Sequence, residues 1–209
     1  MQHPFDKYIF CEEDPQNLEA LKARVKLAAP SAKVAYIAGD CNQRVDDILA
    51  EIPAHSKDHR VLSLCFVDPY DIGIKFETLR RLSVRYMDFL VLLALYMDAN
   101  RNYERYLSED AVKVDEFVGS ATWRERWRVA QRSAISFPKF LAEEYTRSMA
   151  TLRYIPPASY EMLTVRSDEK NLPLYVLALF SRNPRAYSFW SEVRKYRTDQ
   201  MLLGGGSWQ

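Results

Sequence analysis

Through the first hundred residues, short apolar runs alternate with segments whose apolar positions recur at helical spacing, the pattern of strand–helix repeats around a parallel sheet. Lys7 to Cys11 reads as a strand that empties into the acidic turn Glu12-Glu13-Asp14-Pro15. A helix follows with Leu18, Leu21, Val25 and Ala28 at core spacing, Asp14 as its cap and Pro15 at its first position. Val34 to Ala38 is a second strand ending in Gly39-Asp40-Cys41-Asn42, and Val45, Ile48, Leu49 and Ile52 mark a second helix that Pro53 stops. After the polar loop His55 to Arg60, Val61 to Val67 reads as a buried strand, Ile74 to Leu82 as a helix, and Phe89 to Leu95 as the most apolar and hence central strand.

From Asp98 to Thr151 the texture changes to helix throughout, rich in Arg and Trp, a helical insertion of residues 98–152 after the 1–97 α/β half. Tyr160 to Val165 and Pro173 to Phe180 then form an antiparallel hairpin across the polar turn Ser167 to Asn171. Asn183 to Tyr196 closes residues 153–200 as a helix with Phe189, Trp190, Val193 and Tyr196 inward, and 201–209 is a flexible tail. The expected fold is α/β, a Rossmann-like, mostly parallel sheet with an antiparallel hairpin edge.

Composition narrows the chemistry. With 48% hydrophobic and 27% charged residues in 209, the chain can bury a core. Lys and Arg number 29 against 28 Asp and Glu, so no global field attracts nucleic acid or an anionic membrane, and only local patches remain. Only six glycines occur, three of them in the tail; the others, Gly39, Gly73 and Gly119, stand too far apart for a glycine-rich phosphate or dinucleotide loop. The three cysteines and three histidines lack metal or disulfide spacing. The longest apolar run, Phe89 to Met97, is far short of the about 20 residues that span a bilayer. A cytoplasmic protein is expected, without a metal and without membrane association.

In open α/β sheets ligands bind beyond the carboxyl ends of strands. Glu12, Asp40 and Asp68 stand at three successive strand ends, where a carboxylate can accept both hydroxyls of a ribose or an adenine amino group. The plain alternative at each position is a helix cap. Asp98, Asn100 and Arg101 follow the central strand and are placed to contact substrate, or else to cap a helix and pair at the surface. Arg124, Arg128 and Arg132 fall at i, i+4 and i+8 beside Trp123 and Trp127, a row that could grip phosphates and stack bases, or a solvated face with its indoles in the core.

Phe10-Cys11-Glu12 before Asp14-Pro15, then Gly39-Asp40-Cys41-Asn42, Phe66-Val67-Asp68-Pro69-Tyr70, and Phe117-Val118-Gly119 with Trp123 resemble the three-Cys-motif partner proteins, a family similar to class I S-adenosylmethionine-dependent methyltransferases. The resemblance runs from about Tyr8 to Tyr196. It implies S-adenosylmethionine as cofactor, with Glu12 on the ribose, Asp40 near the adenine and Asn42 beside them. It also implies Asp68-Pro69-Tyr70 as the catalytic turn facing a planar amine such as a nucleic-acid base, and a three-Cys-motif protein as partner; Asp98, Asn100, Arg101, Arg124 and Arg128 are candidate substrate contacts by their placement alone. Amino-group methyltransferases carry a second proline before the aromatic of that turn, and here one precedes Tyr70.

Family members begin with a strand and a glycine-rich turn around the methionine part of the cofactor; this sequence starts at what would be their second strand. That first strand is central in the methyltransferase sheet, so the expectation is an amino-terminally truncated fold with two half-sheets lacking a partner at the seam. Either Lys7–Cys11 and Val61–Val67 pair directly, or a strand comes from elsewhere. The competing expectation is a non-catalytic binding or assembly module that kept the fold and acts with a partner protein.

Overall fold

The computed structural model describes residues 5–158 and 162–203, with the side chains of 196–203 excepted. Six strands, eight α-helices and one π-helical turn follow one another along these residues, strands and helices alternating only as far as β4. They divide into two compact units, one running to Leu62 and including Ile74–Tyr86, the other comprising Ser63–Gly73 and the chain from Met87 onward.

In the first unit β1 (Tyr8–Glu12) and β2 (Val34–Ala38) pair in parallel, Tyr8 opposite Val34 and Glu12 opposite Ala38. The crossover is α1 (Pro15–Ala28), and its start is chemically determined. One Asp14 carboxylate oxygen accepts from the backbone N–H of Gln16 and Asn17 at 2.7 and 3.2 Å, satisfying donors the helix leaves orphaned, and Pro15 has no N–H to lose. Only Leu18 of α1 is fully buried. Helices α2 (Val45–Glu51) and α3 (Phe76–Leu82) supply more of the core through Val45, Phe76, Leu79 and Leu82. Asn42 joins these pieces: its side-chain carbonyl accepts from Lys75 N–H at 3.0 Å and from the Thr78 hydroxyl at 2.8 Å.

The second unit is built on a four-stranded mixed sheet of order β3-β4-β6-β5, with β3 (Ser63–Val67), β4 (Met87–Leu93), β5 (Leu163–Arg166) and β6 (Pro173–Phe180). β3 and β4 are parallel; β4 with β6 and β6 with β5 are antiparallel. Period-2 patterning holds sharply in β4, where Met87, Phe89, Val91 and Leu93 are buried and the residues between them are half-buried. A π-helical turn, Leu95–Ala99, follows β4, then α4 (Tyr103–Leu107), α5 (Lys113–Val118), α6 (Trp123–Gln131) and α7 (Phe137–Thr151). The aromatic rings of these helices form the core that the Arg- and Trp-rich texture announced: Trp127 lies 5.1 Å from both Phe137 and Phe140, Phe117 lies 4.8 Å from Tyr145, and Tyr145 lies 5.7 Å from Phe180 of β6. Glu144 of α7, 2% exposed, is held by the Arg126 guanidinium of α6 through both carboxylate oxygens, so its charge is paired where it is buried.

Two expectations need correction. The strands form two separate sheets, as expected of two half-sheets, with β1 and β3 unpaired to each other, but the pairing is half antiparallel rather than mostly parallel. Apolar periodicity marks each strand but carries no record of which strands share hydrogen bonds. The helical stretch 98–152 stands in one unit with β3, β4 and the closing elements. In α8 (Pro184–Leu203) Trp190 is buried as expected, but Phe189 and Val193 are 73% and 58% exposed, and Tyr196 lies outside the described side chains. The hairpin is as read, with Asn171 in the left-handed region and Ser167 N–H donating to Leu172 O at 2.9 Å, while the start expected at Tyr160 lies outside the described residues.

Candidate functional site

In the first unit the ends of β1 and β2 are tied together at the positions that carry the acids. Gly39 N–H donates to Glu12 O at 2.9 Å, and the Cys11 thiol donates to Gly39 O at 3.3 Å. Gly39 has φ of 122°, which an L side chain rarely adopts, and a Cβ there would come within 3.3 Å of the Arg44 stem. The backbone is thereby turned so that Asp40 follows directly at the strand end. Asp40 closes a tight turn: one side-chain oxygen accepts from Asn42 N–H at 2.8 Å, and its backbone carbonyl accepts from Gln43 and Arg44. Glu12, half-buried, accepts Asp14 N–H at 2.9 Å through one carboxylate oxygen, and no donor among the described residues meets the other. Burial is the main cause that pushes the Cys11 thiol up to about 11, with Cys41 adding to it, and burial likewise raises Cys41. Both thiols are therefore protonated at neutral pH and poor nucleophiles.

In the second unit the turn after β3 holds Asp68 exposed, Pro69 half-buried and Tyr70 84% exposed, so the Tyr70 ring projects into solvent. The rest of this turn is anchored by Asp98, 7% exposed. One Asp98 oxygen accepts Ile72 N–H at 2.9 Å and lies 3.4 Å from Lys113 Nζ; the other accepts the Tyr106 hydroxyl at 2.8 Å and the Asn102 side-chain amide at 2.7 Å. Lys113 also reaches Asp71 at 2.6 Å, and Asp71 accepts Gly73 N–H at 2.6 Å. Burial on its own would raise the Asp98 carboxyl; the Ile72 N–H, the Tyr106 hydroxyl, Lys113 and Asn102 outweigh it and hold the group below the usual carboxylate range. Burial would lower Lys113, but Asp71, Tyr106 and Asp98 push it up to about 12.

Both Asp98 oxygens are thus engaged by donors of the protein, and the π-helical turn, with Asn100 N–H reaching Leu95 O at 2.9 Å, carries the carboxylate inward. Arg124 is engaged likewise. Its guanidinium is spent on Asp115 at 2.5 Å and on the Ser108 and Ala111 carbonyls, and it stacks 4.6 Å over Trp123. Asn42, expected beside the cofactor, turns its carbonyl to α3. Asn100, Arg101 and Arg128 are exposed, and Asn100 to Arg105 line a shallow depression.

Sequence reading missed Asp71, Tyr106 and Lys113. The signal for part of this cluster was present, since Asp98, Asn102 and Tyr106 recur at i, i+4 and i+8. Among the described residues no group of three or more His, Cys, Asp or Glu side chains is placed to hold a metal ion, and no helix is long and apolar enough to cross a membrane. No family model, curated protein or solved structure matches the chain.

Proposed function

We propose that the chain is a methyltransferase-like protein that binds the nucleoside part of S-adenosylmethionine at the ends of β1 and β2. The observation that carries this reading is the half-used Glu12 carboxylate, held at a parallel strand end next to a second strand that ends in Asp40. An acceptor-only oxygen pair fits a ribose diol, and the Asp40 carboxylate fits an exocyclic amine. These residues suit the nucleoside half of the cofactor; no glycine-rich turn among the six glycines suits its methionine half. When bound, the cofactor supplies a methyl group on a sulfonium. The chain's own part at the ends of β1 and β2 is to bind and orient the nucleoside, contributing position more than proton transfer.

A second reading is favoured by the strand order. Among the described residues β1 pairs with β2 alone and β3 with β4 alone, as expected of a sheet without its central strand, and a module completed by a partner protein accounts for that arrangement. Calorimetric titration with S-adenosylhomocysteine separates the two. Binding by the wild type that weakens at least about tenfold, or about 1.4 kcal/mol, in Glu12→Ala supports the enzyme-like reading. No heat with the wild type supports the assembly module, and equal binding by Glu12→Ala removes the ribose assignment.

A further inference from the structure

β3 and β5 are the two edges of the four-stranded sheet, and they are defended differently. β5 is four residues long, ends in Arg166 and is broken by a register shift between Val165 and Arg166, features that blunt an edge against further pairing. β3 has none of them. Val61 to Val67 is seven residues without a charge or a proline, and among the described residues β3 pairs with β4 alone. Half-buried and exposed residues alternate from Val61 to Tyr70, which sets Leu62, Leu64 and Phe66 on one face at 85%, 48% and 56% exposure. The charges that bound this stretch are opposite in sign, Arg60 before it and Asp68 after it. Both are exposed, and no ion pair among the described residues engages either.

We propose that the open edge of β3 pairs antiparallel with β3 of a second copy of this chain, about a two-fold axis at Leu64. With that axis perpendicular to the sheet the two strands run antiparallel and keep their faces, so the two four-stranded sheets join into one. In this register Leu64 stands opposite the partner's Leu64, Leu62 opposite the partner's Phe66, and Arg60 opposite the partner's Asp68 at both ends. Apolar side chains meet apolar ones, and charge meets opposite charge. Neighbouring registers fail: a shift of two residues one way sets Leu62 against the partner's Asp68, and the other way sets Asp58 against it. This self-complementarity, charge included, selects a second copy over an unrelated strand. The pairing rests on the assembly-module reading, in which a partner completes the edge of β3, and it names that partner.

Sedimentation velocity of the wild-type chain is expected to show a concentration-dependent dimer between about 1 and 100 μM. Phe66→Lys sets an ammonium group from each copy among the apolar side chains of the joint and should leave monomer alone over that range. Because Phe66 is exposed in the single chain, circular dichroism of this variant should be unchanged. Asp68→Arg sets like charges against each other at both ends and should weaken the dimer about tenfold, and Arg60→Asp/Asp68→Arg should restore it. A wild type that stays monomeric overturns the proposal, as does a dimer indifferent to Phe66→Lys or a double swap no tighter than Asp68→Arg alone. S-adenosylhomocysteine titration of the same wild-type sample tells the two failures apart. A monomer that gives no heat loses this pairing and keeps the assembly reading, whereas a dimer that binds S-adenosylhomocysteine keeps the pairing and loses that reading.

Discussion

Glu12 and Asp40 in the first unit and Asp98 in the second all follow the carboxyl end of a strand, yet their oxygens are spent differently. Asp98 is buried and accepts from a backbone N–H, a phenol, an amide and an ammonium group, which leaves it nothing to offer a ligand. Glu12 and Asp40 give one oxygen each to a neighbouring backbone N–H, and Asp40 also lies 3.4 Å from the Gln43 amide. A saturated carboxylate builds a scaffold because removing it orphans every donor around it. A half-used one caps locally and keeps a lone pair for something else. Burial and donor count therefore separate the two roles where position in the fold does not.

The comparison breaks most sharply at Asp98. Asp98→Ala strands the Ile72, Asn102 and Tyr106 donors in partial burial, leaving Lys113 to Asp71, and is expected to cost about 2–4 kcal/mol in urea unfolding. Glu12→Ala should cost under about 1 kcal/mol, the range for a single local cap hydrogen bond. If the two costs were alike, the distinction between scaffold and site would fail.

Acid sharpens the same contrast. The Asp98 carboxyl is held below its ordinary value, so its contribution to stability is present above the unfolded-state value of about 3.9 and is lost as pH falls through the lower folded value. Urea midpoints followed from about pH 6 down to pH 2.5 should fall more steeply for the wild type than for Asp98→Asn. The smallest effect belongs to Tyr70: with its ring in solvent, Tyr70→Ala should shift stability by no more than about 0.5 kcal/mol, so any large loss of activity in that variant would report contact with a substrate.

Much of the secondary structure was legible in the sequence. The Asp14-Pro15 start of α1 follows from capping chemistry, the burial of β4 from its unbroken apolar run, and the β5–β6 hairpin from the polar turn between two alternating segments. Strand pairing was not legible, because period 2 in β1 and β3 is the same whether they are neighbours or edges. Nor was the orientation of Asp98. Position after the central strand leaves both substrate contact and a cap open for Asp98, and the π-helical turn that follows β4 has no signature in the apolar pattern. Arg124 was read with Arg128 as one row since spacing places them on one face; the carbonyls of Ser108 and Ala111 that claim the first of them come from a preceding loop that no helical period reveals.

The division of the chain into two interleaved units bears on how the protein is made. α3 belongs to the first unit but lies between β3 and β4 of the second, so the chain crosses from one unit to the other at residues 62–63, 73–74 and 86–87. During synthesis at about 5–20 residues per second, the first unit lacks α3 until residue 86 has emerged, and by then β3, with Leu64 and Phe66 on its face, is already outside without β4 to pair with. The nascent chain passes through a stage in which an apolar strand waits in the open for the strand that will cover one of its edges.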